Sequence, residues 1–363
     1  MHRICHLSGR LRGLAAHATR AGLLLALGVA AAGSEPRVSV DGYGPATADR
    51  LRAAGWTTDL SRHDRPLASI AMADLARESF VPMVHPGYAA ATETGTEAAE
   101  PVVVLRGEGA VHAWSQTHLR RRELVLDDIG GVPVAVTFCS LCATARVWDR
   151  RVGGETLELA VSGMLLDGNS LLYDRGTESL WRQIDGKCVA GTYAGARLEA
   201  LPSFLVSFGD LVRAEPDARV MLPPEPGLNP PIRLLSEEAI ASGTPPAWFS
   251  VGCERPLEPV LAVAGEAALL PVAGPDAENL ESVVLFRDPA GSGTVAAFRR
   301  AVNGRTLTFA ADRGEIHDQE TGSRWDRTGG AVTGPLAGAR LTPAPHLTGF
   351  RFALSAPDSA GVP

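Results

Sequence analysis

Residues 173–198, YDRGTESLWRQIDGKCVAGTYAGARL, and residues 317–341, HDQETGSRWDRTGGAVTGPLAGARL, decide how this chain is read. Asp174, Thr177, Ser179 and Trp181 answer Asp318, Thr321, Ser323 and Trp325. Ala-Gly-Ala-Arg-Leu recurs unchanged at 194–198 and 337–341, and Pro202 and Pro345 each follow four residues later. Upstream, Glu100-Pro101-Val102 and Gly107-Glu108 answer Glu258-Pro259-Val260 and Gly265-Glu266. Two echoes in fixed order point to one internal duplication of a domain of about 100 residues, not to a solenoid. Copy one is expected over 100–216 and copy two over 258–357.

Inside a copy the pattern has a period of two. Val132-Pro-Val-Ala-Val-Thr-Phe138 reads as a buried strand, and 143–150 alternates apolar with polar or small residues. Gly153-Gly154 between Val152 and Glu155 is a hairpin signal, with residues 156–161 as the returning strand. A chain with Gly 39 and Pro 26 favours short strands and turns over long helices. The expected fold is mainly β, a β-rich α+β architecture of two homologous β-domains with few short helices. Segment 34–99 is expected to carry one helix near 68–79. Residues 217–257 read as a Pro-rich connector with a short helix near 236–241.

The first 33 residues read as an export signal. Arg3, Arg10, Arg12 and Arg20 precede or begin a short apolar run at 21–32, and Ala31, Ala32, Gly33 and Ser34 suit a signal peptidase. Twelve residues are too few to cross about 30 Å of hydrocarbon. No stable membrane span is expected after cleavage, and the expected location is periplasmic or extracellular. Losing four arginines makes the net charge of −7 more negative still, which argues against nucleic acid as a partner. A protein partner is not specified. Cys139, Cys142, Cys188 and Cys253 remain, in a compartment that permits disulfides, and four cysteines allow three pairings.

A duplication supplies a control within one chain. Positions kept in both copies belong to the scaffold. The Asp-x-x-Thr-x-Ser-x-Trp element is therefore read as a turn stapled by Asp and Thr oxygens over a packed Trp, not as a nucleophile with its base. Arg197 and Arg340 are read as partners of scaffold carboxylates. Positions found in one copy mark a site. Copy two carries Phe286-Arg-Asp-Pro-Ala-Gly-Ser where copy one carries Phe138-Cys-Ser-Leu-Cys-Ala-Thr. Residues 120–123 with Asp127-Asp128, and residues 162–168, are also peculiar to copy one. These three stretches are expected to converge.

Several motifs resemble the bacterial and archaeal family labelled domain of unknown function 3179. They are Trp56-Thr-Thr-Asp-Leu60, Cys139-Ser-Leu-Cys142, Tyr173-Asp-Arg-Gly-Thr-Glu-Ser-Leu-Trp181 and Ala194-Gly-Ala-Arg-Leu198. The resemblance runs over roughly 55–357. That family typically shows Pro at the place of Ser140, and His-Glu before Asn-Asp. Here Arg122 stands at the His place, Glu123 is kept, and Leu126-Asp127 replaces Asn-Asp. The resemblance implies a fold boundary and a site location, but no established activity.

The Cys-x-x-Cys has three readings. The first is a soft-metal site, zinc or copper, through Cys139 and Cys142. Zinc needs two further ligands, with Cys188, Cys253, His85, His112 and His118 as candidates, and copper(I) could add Met164. The second is thiol–disulfide redox by Cys139 and Cys142, with Cys139 as the attacking thiol. About ten residues separate Cys142 from the glycine turn, too few for the long helix of a thioredoxin fold. The third is a structural disulfide on a non-catalytic scaffold. Glu123 with Asp127 and Asp128 is a further candidate for acid–base or hard-cation chemistry.

Overall fold

The largely apolar Val132–Cys139, buried from Val134 onward, pairs with Thr144–Asp149 in antiparallel register, with Phe138 opposite Ala145 and Cys139 opposite Thr144. Leu124–Ile129 adds on the other side of Val132–Cys139, and Met83–Val84 joins it in parallel. The computed structural model describes residues 39–74, 77–225, 235–289 and 291–355. The expected export signal, and Pro226, Pro230 and Pro231 of the connector, lie outside the described residues. The chain is mainly β. Its five α-helices among the described residues are no longer than seven residues, and none of the helices there is long and apolar enough to cross a membrane.

Two more sheets complete the first half. One runs in the order Cys188–Ala190, Leu180–Arg182, Asn169–Asp174, Leu159–Leu166, Ile70–Ala73, Tyr43–Pro45. The other runs Ser203–Ser207, Pro101–Arg106, Val111–Ser115, Arg219–Met221, Tyr88–Ala90. Three of these strands, and Met83–Val84 of the first sheet, precede residue 100, so the N-terminal segment is woven into the first half. The helix expected near 68–79 is absent. Ile70–Ala73 is a strand, with Ile70 and Met72 buried and Ala71 and Ala73 half-buried. The period there is two, and pairing with Leu159–Leu166 overrides the helix propensity of the alanines and leucine. The helix of this segment lies earlier, at Ala48–Ala53, capped by Thr47.

The second half has several similar pairings in smaller sheets, with no helix where the first has Gln116–Arg122. Pro259–Val263 pairs with His346–Phe350 as Pro101–Arg106 pairs with Ser203–Ser207. Val283–Arg287 pairs with Val295–Arg299, and Phe309–Asp312, Glu315–Asp318, Arg324–Trp325 and Ala331–Thr333 form a four-stranded sheet. The halves share a core. Val104, Phe204 and Phe208 pack in one cluster with Phe286, Phe298 and Trp325.

The two Asp–Thr–Ser–Trp turns carry the same bonds. Asp174 accepts from the Thr177 N–H at 2.7 Å and from Trp181 Nε1 at 3.1 Å, and Asp318 accepts from Thr321 at 2.6 Å and Trp325 at 2.9 Å. The carboxylate thus closes the turn and satisfies the buried indole at once. Arg197 pairs with Asp185, and Arg340 with Glu215. In the first half, Thr57 and Thr58 also hydrogen-bond Glu178 of the turn.

Gly191 fixes this turn against its neighbour. Its φ is +107°, and a Cβ there would stand 2.5 Å from Ser179 Oγ and 2.6 Å from Ser179 Cα. Gly195, at φ +91°, has open space around it. Gly191→Ala is therefore expected to destabilise the fold by about 3 kcal/mol, and Gly195→Ala by about 1 kcal/mol, since only the first adds a clash to backbone strain. Urea unfolding of both variants measures the difference, and equal losses would refute the clash.

Candidate functional site

The four residues 140–143 join Cys139 to Thr144. Ala143 takes a left-handed φ of 55°, and its N–H donates to the Cys139 carbonyl at 2.9 Å, which closes the tip tightly. Cys139, Ser140, Leu141 and Cys142 are all buried. Both sulfurs sit in an apolar cluster with Leu165, Phe249, Phe350 and Phe352, so the connector and the end of the chain cover them. All four described cysteines are free thiols.

A polar network underlies Cys142. Its Sγ lies 3.1 Å from Thr144 Oγ1, and Asn169 Nδ2 donates to it at 3.3 Å. Asn169 and Thr144 both donate to Gln183 Oε1 at 2.8 Å, and Gln183 Nε2 donates to Thr137 Oγ1 at 3.1 Å. The Ile184 N–H reaches Asn169 Oδ1 at 3.0 Å, so every arm of the two amides is engaged. A satisfied buried network holds its members in one geometry.

The two thiols are driven apart in acidity. Burial opposes a charge on Cys139, but hydrogen bonds from Cys142 and Ser170, side chain and backbone, outweigh it and bring the thiol below its usual range. Cys142 moves the other way, because burial and the neighbouring Cys139 sulfur both favour its neutral form. Cys139 is thus the more acidic thiol of the pair.

Glu123 completes the site. It caps the helix Gln116–Arg122 in a left-handed conformation, φ 58°, with its N–H on the Leu119 carbonyl. Its carbonyl accepts from Phe138 N–H at 2.9 Å and its carboxyl accepts from Ser140 N–H at 3.2 Å. Burial, then the Cys139 charge, raise this carboxyl to about 8. Tyr43 is pushed up to about 12 by burial and by the charges of Glu123 and Cys139. The three expected stretches meet in part: Glu123 lies at Ser140 and the Gly168 carbonyl lies 4.0 Å from Cys139 Sγ, while Asp127 and Asp128 have other partners, and Asn169 and Ser170, just beyond 162–168, reach the sulfurs.

Other expected ligands lie elsewhere. Met164 faces the opposite side of its strand from Leu165 and packs with Met72 and Tyr173. His112 is stacked on Trp114, and His118 lies on the helix Gln116–Arg122. Burial pushes both imidazoles down. Asp127 accepts from Tyr88 at 2.7 Å and bonds His85 Nδ1 at 3.0 Å, and Asp128 holds a turn at Gly131. Neither aspartate makes a hydrogen bond to Glu123 among the described residues. Cys188 is packed with Trp148 and Trp181, where burial drives it up to about 12. Among the described residues no group of three or more His, Cys, Asp or Glu side chains could hold a metal ion. The zinc or copper expectation thus lacks its further ligands.

Thr144, Asn169, Ser170, Gln183 and Tyr43 escaped the sequence reading. The second half held the signal. Where the first has Cys139 and Gln183, the second has Arg287 and Arg327. The Arg287 guanidinium is buried, donates to the carbonyls of Val272, Pro275 and Pro271, and pairs with Glu278 at 2.7 Å. Arg327 Nε bonds the Arg287 carbonyl at 2.8 Å. An arginine cage thus fills the place of the dithiol.

The family model described as "Protein of unknown function (DUF3179)" matches residues 79–230. The matched segment holds Glu123, both site cysteines, Asn169, Ser170 and Gln183, while Tyr43 and the covering residues from 235 onward lie outside it. No curated protein and no solved structure matches the chain.

Proposed function

We propose that the protein carries out thiol–disulfide exchange through Cys139 and Cys142. The observation that carries this reading is the placement of two free, adjacent thiols on one polar network, with the buried Glu123 carboxyl bonded to the tip between them. Cys139 supplies the thiolate that attacks a substrate disulfide. The attack converts its charge into a neutral mixed disulfide. Glu123 then loses one of the two causes that keep it protonated, gives its proton to the departing substrate thiolate, and is left as a carboxylate that can take the Cys142 proton. Cys142, uncharged until that moment, gives up its proton and attacks the Cys139 sulfur. The dithiol loses two electrons, the substrate disulfide gains them, and two substrate thiols leave. Because both sulfurs are buried, exchange runs through a local opening of residues 140–143. The charge pattern of residues 1–33 supports a location outside the cytoplasm, where disulfide substrates persist.

Equilibration in graded mixtures of reduced and oxidised glutathione, followed by alkylation and peptide mass spectrometry, tests the reading. The expected result is one two-electron transition on the 139–142 peptide between about −300 and −120 mV, with Cys188 reduced throughout. A pair that stays reduced or oxidised across that range overturns it.

A further inference from the structure

A cleft of about 700 Å³ lies beside the cysteine hairpin, with walls from both halves. Ala143, Gly349 and Phe350 line it, and the Phe350 N–H donates to the Cys142 carbonyl at 2.9 Å, so one layer of chain separates the cleft from the dithiol. Three of its charged side chains are already engaged: Glu258 is held by Arg255 and Arg351, Arg287 by Glu278, and Asp288 has an interaction of its own. Arg120 also lines the cleft and makes no ion pair with the described residues. Its carbonyl lies 3.5 Å from Ser140 Oγ, which ties this arginine to the hairpin tip. Much of the remaining lining is Pro, Gly and Val, with hydroxyls at Ser292 and Thr294.

We propose that the cleft admits a small disulfide bearing a carboxylate, with the carboxylate on the Arg120 guanidinium and the sulfurs toward the hairpin tip. This rests on the thiol-exchange reading. A guanidinium engages a carboxylate with two parallel N–H donors, which both holds and orients it. The reaction is the one balanced above. The Cys139 thiolate breaks the ligand S–S bond, the first half leaves as a thiol, and attack by Cys142 releases the second. A neutral disulfide meets the same cleft without this anchor.

The net charge of −7 supplies a sharp control, because general electrostatics repels anions from this protein. The reduced full-length protein is mixed with neutral bis(2-hydroxyethyl) disulfide or with dianionic dithiodiglycolate, and Cys139–Cys142 oxidation is timed by acid quench and mass spectrometry. The anionic probe is expected to react about tenfold faster, with the gap lost in Arg120→Gln and partly kept in Arg120→Lys. Rates with the neutral probe, and thermal unfolding, are expected to stay unchanged in both variants. An anionic probe no faster than the neutral one, or a preference that survives Arg120→Gln, overturns the cleft assignment while leaving thiol exchange standing. Oxidation by neither probe overturns the exchange reading itself.

Discussion

Cys142→Ser should leave a protein whose Cys139 alkylates readily near pH 7, while Cys139→Ser should leave a Cys142 that is almost inert. The expected ratio of iodoacetamide rates is about 100-fold, since only thiolates react and the two sulfurs differ in thiolate content. Both substitutions abolish the two-electron couple. Serine at 142 keeps a donor beside Cys139, and Ser170 still bonds it, so the thiolate survives the change. Cys142 alone keeps the burial that favours its neutral form. Because the same cover opens in each variant, the ratio reads acidity and not access. Equal rates, or a faster Cys142, would remove Cys139 from the attacking role.

Glu123→Gln should change how stability depends on pH. The folded carboxyl titrates at about 8, against 4.5 for an ordinary glutamate. Between those values the folded chain holds a proton that the unfolded chain has lost. Stability from this group is therefore fully present below pH 4.5, falls as pH rises, and is gone above pH 8. The decline is on the order of 5 kcal/mol for a shift of this size. Glutamine can accept the same Ser140 N–H bond but cannot ionise, so its profile should lack that decline. Urea unfolding of both proteins at pH 5, 7 and 9 measures the difference. Parallel profiles would mean that Glu123 is charged in the fold at neutral pH.

The β character was legible because the apolar run 132–138, the alternation along 143–150 and the Gly153-Gly154 turn are local signals. The roles of Asp174 and Asp318 were legible for a different reason: the same Asp-x-x-Thr-x-Ser-x-Trp spacing stands at both places, and both turns carry the same bonds. The false helix at 68–79 shows the limit. Ile70 and Met72 are placed by strands about ninety residues away, and no local pattern announces that pairing. The site divides similarly. Cys139, Cys142 and Glu123 stood out as residues the second half lacks. Gln183 and Asn169 are ordinary amides whose importance lies in whom they touch, and Tyr43 arrives from an edge strand of another sheet. The metal reading drew on residue types alone, and the fold sends His112, His118 and Met164 to other faces.

Gly349 gives the second half a part in all this. A Cβ at that position would stand 2.6 Å from the Thr144 methyl and 3.1 Å from the Cys142 carbonyl oxygen, so the strand His346–Phe350 lies directly on the cysteine hairpin. The strand His346–Phe350 thus covers the hairpin that carries the thiols. Exposing either sulfur on this side requires residue 349 to part from residue 144, so the closeness of that one contact bears on how often the thiols meet solvent.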